Sequence, residues 1–335
     1  MLKIDKKDRQ ILYELDKDCR QPNSRIAKKV RLSKEVVGYR VARMERNGVI
    51  KGYYVLVDMT KMGFYNCRIF FKFKGIVPNE EKEFHEYFNH NSSAWWVNSI
   101  SGSFTDSGVA FWVRDIQGFH LLKEEIFRKY RSKIEFFKDS FYSNIHVWRR
   151  SYLSRTDEKV PKYNRIPGNS KAIKFDGQDV KLLGALTKNA RMPLVELAKQ
   201  CSMSLGAARH RLQKLVQKGV ILGFRPKISL EKIGYYWYKV EFQLDGYGVK
   251  KGLLAYFASH PNIIYAYESI GGGTDIEMEM EVESHQKFRE VVDGIRSKFK
   301  EAIRSYNYYL WSSEYKIVFF PPEEFFKLGN KKPVY

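Results

Sequence analysis

Cysteine is scarce in this sequence: Cys19, Cys67 and Cys201 are the only three in 335 residues, widely spaced and odd in number. That excludes a disulfide framework. With no C-x-x-C pair and no Cys/His cluster, no metal and no cofactor is expected, and the thiols read as buried and free. Histidine is equally thin, seven residues scattered at positions 85, 90, 120, 146, 210, 260 and 285. No apolar run approaches the ~20 residues that cross a bilayer, and Met1-Leu2-Lys3-Ile4-Asp5 lacks the apolar centre of a signal peptide. No membrane partner and a cytoplasmic location are therefore expected. Negative charge is also short: 38 Asp and Glu stand against 59 Lys and Arg, a net charge of +21. A pI near 9.6 favours a polyanionic partner. Packing material, by contrast, is plentiful: 44% hydrophobic and 15% aromatic residues exclude disorder over most of the chain.

The chain repeats itself. Asp5-Lys6-Lys7-Asp8 answers to Asp176-Gly177-Gln178-Asp179 at an offset of 171 residues, which runs without gaps to Gly52 and Gly223. Leu12 pairs with Leu183, Arg20 with Arg191, Pro22 with Pro193, Ser33 with Ser204 and Arg40 with Arg211. Further on, an offset of 169 relates Asp106 to Asp275 and Phe119 to Phe288. Both halves are copies over nearly their whole length.

In each copy, a pair of aspartates three residues apart caps a first helix, with Ile11, Leu12 and Leu15 as the apolar stripe of copy one. Pro22 opens a short second helix, and Ser33 offers an N-cap to a third. There Val37, Val41 and Met44 recur at helical spacing and point inward, as Ala208, Leu212 and Leu215 do in copy two. Their exteriors differ: Lys34, Glu35, Tyr39 and Arg43 in one, Arg209, His210 and Lys214 in the other. A helix held by its back, with donors and acceptors near its N-terminus, suits a major groove. Gly48 and Gly219 then end the helix, and Val49 to Asp58 alternates as a strand or wing.

Beyond Gly63 the pattern turns to strand, helix, strand, strand, helix, strand, with helices expected at 78–89 and 116–130. Such a βαββαβ order implies a ferredoxin-like domain. The fold class is thus α+β: two winged helix-turn-helix domains alternating with two ferredoxin-like domains. The expected boundaries are 1–60, 61–153, a basic linker at 154–172, then 173–231, 232–322 and a tail at 323–335. The alternating Glu277, Glu279, Glu281 and Glu283 form either a solvated sheet face or a row that meets Arg68, Lys72 and Lys74 of the first sheet.

These pieces resemble the Lrp/AsnC, or feast/famine, family of transcriptional regulators. The resemblance rests on Asp5 and Asp8 with Ile11-Leu12, the Leu32-Ser33 turn, Arg40, the run from Met44 to Tyr53, and the βαββαβ domain that follows. It implies double-stranded DNA as partner, read by Lys34, Glu35, Tyr39, Arg209 and His210. Ser33, Arg40, Arg43, Ser204, Arg211 and Lys214 would lie near phosphates or steady the helix. Arg40 and Arg211 have salt bridging within the domain as an alternative role. The family also implies an amino-acid-like effector near a glycine-aspartate loop, here Gly271, Gly272, Gly273, Thr274 and Asp275, with Gly102 and Asp106 as a longer counterpart in copy one. Duplication departs from the usual single copy and implies an intrachain pseudo-dimer, open to further self-association, that reads an asymmetric site.

Two rivals compete. Some proteins of this double architecture look like haem-precursor decarboxylases, but their His-rich motifs are missing from Phe224–Ile228 and Tyr265–Glu268, so no enzyme is expected. The other is a non-specific architectural protein, suggested by Arg149, Arg150, Arg155, Lys159, Lys162 and Arg165.

Overall fold

The structure is a computed structural model that describes residues 3–102, 104–154 and 164–328. Ser103 of the first hairpin and Arg155, Lys159 and Lys162 of the linker lie outside the described residues.

Copy one opens with α1 (Lys6–Lys17), α2 (Asn23–Val30) and α3 (Lys34–Arg46). Asp5 and Asp8 form the reciprocal capping box that their spacing predicts, and Ser33 accepts a hydrogen bond from the Val36 amide. Then come β1 (Ile50–Val57), β2 (Tyr65–Phe73), α4 (Pro78–His90), β3 (Ala94–Ser101), β4 (Ser107–Val113), α5 (Ile116–Tyr130) and β5 (Ile134–Val147). The linker contributes β6 (Asn164–Pro167), which pairs with β5. Copy two repeats the order as α6 (Gly177–Lys188), α7 (Leu194–Gln200), α8 (Leu205–Gln217), β7 (Ile221–Ile228), α9 (Leu230–Ile233), β8 (Tyr236–Leu244) and α10 (Lys250–Ser259). It continues through β9 (Ile263–Gly271), β10 (Ile276–Val282), α11 (His285–Lys298), β11 (Ile303–Ile317) and α12 (Glu323–Leu328).

The two copies interlock at two levels. β1 is no free wing: it pairs antiparallel with β7, with Tyr53 opposite Pro226 and Val55 opposite Phe224. Around this ribbon one apolar core runs through both three-helix units, from Ile11 and Leu15 to Leu183 and Leu186. Lys61 Nζ donates to the Lys218 carbonyl (2.7 Å) at the end of α8, and Lys232 Nζ to the Asn47 carbonyl (2.6 Å) at the end of α3. Each lysine thus caps the other copy's third helix, placing positive charge at its negative pole. Gly48 and Gly219, at φ +65° and +66°, lie against these lysines in a backbone conformation that a side chain would strain.

The eight strands of the α+β domains pair in the order β2-β4-β3-β11-β8-β10-β9-β5, and β5 returns to β2, closing a barrel. Its seams between copies are β3–β11 and β9–β5. Outward-facing residues pack under helices, Phe71 and Phe111 beneath α4 and α5, Met278 and Met280 beneath α10 and α11. The segment at 323–328 is no loose tail: Phe325 of α12 packs on Phe64 with ring centroids 5.1 Å apart. Of the glutamate row, Glu277, Glu279 and Glu281 point into the barrel and are buried while Glu283 is exposed, and of the three cations expected opposite it Arg68 meets Glu277 whereas Lys72 pairs with Asp106.

Candidate functional site

The third helices present the faces their patterns predict. Val37, Val41 and Met44 are buried beneath α3, and Ala208 and Leu215 beneath α8, with Leu212 half-buried. Lys34, Glu35, Arg209, His210 and Lys214 are exposed, and Tyr39 is 62% exposed. Ser33 and Ser204 act as the N-caps. Arg40 instead bridges both capping aspartates, 2.7 Å from Asp5 and 2.9 Å from Asp8, and Arg43 joins it on Asp8 at 2.7 Å. Arg211 does the same on Asp176 and Asp179 at 2.9 and 2.8 Å. These arginines lock the third helix to the first. Asp179 has no counterpart of Arg43, because Lys214 stands there.

The glycine hairpins hold their aspartates inward. Asp275 accepts the Leu244 amide (2.7 Å), and Asp106 accepts the Phe73 amide and the Lys72 ammonium (each 2.8 Å). Thr274 donates to Glu277 (3.0 Å). Gly271, at φ +87°, lets β9 approach β5 so closely that a Cβ would sit 2.9 Å from the Asp139 carbonyl. Gly272 packs on Ser140, whereas Gly273 and Gly102 face open space.

The molecule also carries a concave feature that the sequence pattern does not mark. Between the β1·β7 ribbon and the barrel mouth lies a cleft of about 760 Å³, lined on one side by Lys51, Tyr54 and Lys227 and on the other by Asn98, Trp237 and Trp311. Inside the barrel, Arg68 grips Glu277 as a two-pronged fork, and Lys239 sits 2.7 Å from Glu277 and 3.4 Å from Glu279. Burial favours the neutral form of Glu277, but the cations of Arg68 and Lys239 outweigh it and hold its pKa well below the usual value. For Glu279 burial prevails and its pKa is raised.

A family profile described as winged helix-turn-helix DNA-binding matches residues 4–51 and again 175–221. The HTH-type transcriptional regulator LrpB of Bacillus subtilis (strain 168) is 35% identical over 98 residues, 29% of this chain and 66% of that protein. Regulatory protein AsnC of Haemophilus influenzae is 36% identical over 84 residues, 25% of this chain and 53% of that protein. The chain belongs to the Lrp/AsnC family. It carries the family unit twice, and each match spans between half and two thirds of the curated relative's length. A solved structure of the siroheme decarboxylase NirDL, in co-complex with an iron-uroporphyrin III analogue, superposes with a TM-score of 0.63 at 13% identity. It covers 96% of this chain and 98% of that one. At such identity the likeness concerns fold alone, but it corrects one expectation. Scattered histidines suggested that the chain is no enzyme, whereas the architecture matching it from end to end is that of an enzyme.

Within this Lrp/AsnC duplication the flanks of the barrel mouth have diverged. On one, Asp16 of α1 accepts from Arg225 of β7 (2.6 and 2.7 Å) and from both the backbone amide (2.9 Å) and side chain (3.0 Å) of Arg150. Arg150 also forks onto Glu281 at 2.9 Å. All four side chains are buried. Burial alone would raise the Asp16 pKa, but the facing Arg225 and Arg150 guanidiniums hold it below its ordinary value. On the other flank the matching positions are Thr187, Tyr54 and Trp112, and the segment matching Arg150 holds Phe319 and Phe320. There Tyr54 stacks on Phe319 with centroids 4.0 Å apart. A four-residue ion cluster thus faces an aromatic stack across the pseudo-twofold. Arg150, one of the bases that suggest non-specific nucleic-acid binding, is instead buried in this cluster. Its place between Trp148 and Tyr152 was the one available hint of burial.

Proposed function

We propose that this chain is a sequence-specific DNA-binding transcriptional regulator in which one polypeptide supplies both halves of a pseudo-dimer. The observation that carries the reading is the pair of third helices: joined through the β1·β7 ribbon, locked by arginines from behind, and different in exterior. Lys34, Glu35 and Tyr39 of α3 and Arg209 and His210 of α8 contact base edges, with Ser33, Arg43, Ser204 and Lys214 nearer phosphates. Because the exteriors differ, the DNA site is asymmetric. Binding-site selection followed by footprinting at physiological salt tests this. A protected, non-palindromic site is expected, and steep salt loss with no preferred sequence overturns it. Modulation by an amino-acid-like effector is supported by the family resemblance alone, since Asp106 and Asp275 already hold strand backbone.

A second reading, a tetrapyrrole-modifying enzyme, is favoured by the end-to-end fold likeness to a siroheme decarboxylase. Adding iron-uroporphyrin III and following both the Soret band and carbon dioxide release tests it. An unchanged spectrum rejects it.

A further inference from the structure

We propose that the cleft between the β1·β7 ribbon and the barrel mouth binds a flat, conjugated molecule of low net charge with hydrogen-bond acceptors along one edge. We further propose that its occupancy is relayed to one helix-turn-helix unit through Arg150. The relay rests on the regulator reading above; the binding site does not.

The cleft's volume, about 760 Å³, lies within the ~300–1,000 Å³ of small-molecule pockets. Its barrel wall is aromatic: the Trp237 and Trp311 ring centroids lie 5.8 Å apart at 58°, and Tyr265 also lines the cleft. Such a wall takes a π-system on its face. The polar groups on that wall are unspent. Among the described residues, the indole N–H groups of Trp237 and Trp311 and both ends of the Asn98 amide have no hydrogen-bond partner, and Asn98 is 0% exposed. A buried polar group without a partner costs about 1–3 kcal/mol, so the two indole N–H groups and the Asn98 amide N–H group describe a wall completed by acceptors on a guest, with a donor beside them for the Asn98 oxygen. Charge at the mouth is balanced. Lys51 and Lys227 stand with Glu231, Glu283 and Glu314, and Lys227 already pairs with Glu314 at 2.7 Å. A polyanion finds no excess of cation there.

The relay follows from Arg150 and Glu281, which line the cleft while Arg150 holds Asp16 of α1 and, through it, Arg225 of β7. A guest pressing on this pair meets a rigid charged link to the first helix-turn-helix unit. The stacked Tyr54 and Phe319 across the pseudo-twofold offer no equivalent charged link. Occupancy therefore reaches the two DNA-reading units unequally.

The experiment titrates the full chain with two uncharged flat carbonyl compounds, lumiflavin and xanthine, and with iron-uroporphyrin III as the polyanionic arm, following tryptophan fluorescence. At least one uncharged probe quenches saturably below ~1 mM and binds more tightly than the macrocycle. Asn98→Leu and Trp311→Phe each weaken it by about tenfold while the circular dichroism spectrum is kept. Binding also shifts DNA affinity, and Glu281→Gln reduces that shift. If both uncharged probes fail to saturate, if only the macrocycle binds, or if the variants bind as well as the parent, the site is wrong. If a probe binds without changing DNA affinity, the relay is wrong and the site stands. DNA binding by the unliganded chain is measured separately, so failure of the regulator reading is seen on its own.

Discussion

The ion cluster at the barrel mouth makes a strong prediction about Asp16. Its carboxylate, 1% exposed, receives two guanidiniums and a backbone amide. Asp16→Ala would leave Arg225 without a counter-charge and Arg150 with Glu281 alone. Removing one partner from a buried pair costs about 3–5 kcal/mol, mostly the penalty of the charge left behind. At ~2.1 cal/mol/K of unfolding entropy per residue, a chain of 335 residues loses ~0.7 kcal/mol per degree, so Tm should fall by about 4–7 °C. Calorimetry reads this directly. Thr187→Ala, the matching position on the apolar flank, should shift stability by only about 0.5 kcal/mol. The reasoning also says what rescues the loss. The fourfold variant Asp16→Thr, Arg225→Tyr, Arg150→Phe and Glu281→Trp copies the opposite flank and should recover most of it, since replacing a buried ion cluster with packed apolar groups is often neutral. An Asp16→Ala protein that melts within about 1 °C of the parent would refute the account.

Three further outcomes follow. Arg211→Ala should destabilise more than Arg40→Ala, by about 1 kcal/mol in urea melts, because Asp8 keeps Arg43 whereas Asp179 keeps no second arginine. Glu279→Gln should leave the urea midpoint nearly unchanged or raise it, as one oxygen of Glu279 has no hydrogen-bond partner among the described residues and burial already raises its pKa, whereas Glu277→Gln should cost about 3 kcal/mol. Burial pushes His85 and His260 down to about 4, so the unfolded chain takes up protons at these positions before the folded one does. Their contribution is whole above about pH 6.5 and is lost as pH falls toward 4, at roughly 1.4 kcal/mol per pH unit for each; His85→Gln should flatten the slope.

Much of this was legible in the residues. The strand and helix order beyond Gly63 placed the helix Ile116–Tyr130, and the paired serines and glycines marked both ends of the third helices. Two things were not. Alternation along β1, β3 and β11 tells which side chains share a face but not which strand lies alongside, so neither the ribbon nor the barrel seams were visible. The glutamate row is the second case. Period-two spacing divides Glu277, Glu279 and Glu281 from Met278 and Met280 without saying which side is interior. Here both sides are buried, one in hydrocarbon and the other by Arg68, Lys239 and Arg150. The site residues divide in the same way. Exposure on α3 and α8 followed from helical spacing, but the Asn98 and Trp311 wall is assembled from strands of different copies.

The barrel's two seams also bear on how the polypeptide is made. When synthesis has delivered the first copy alone, β3 and β5 are unpaired margins with their hydrogen-bonding groups turned outward, and their complements, β11 and β9, belong to residues not yet translated. Such margins are sticky until matched. The nascent half therefore waits for its own sequel, and the final long strand, β11, is what shuts the cylinder.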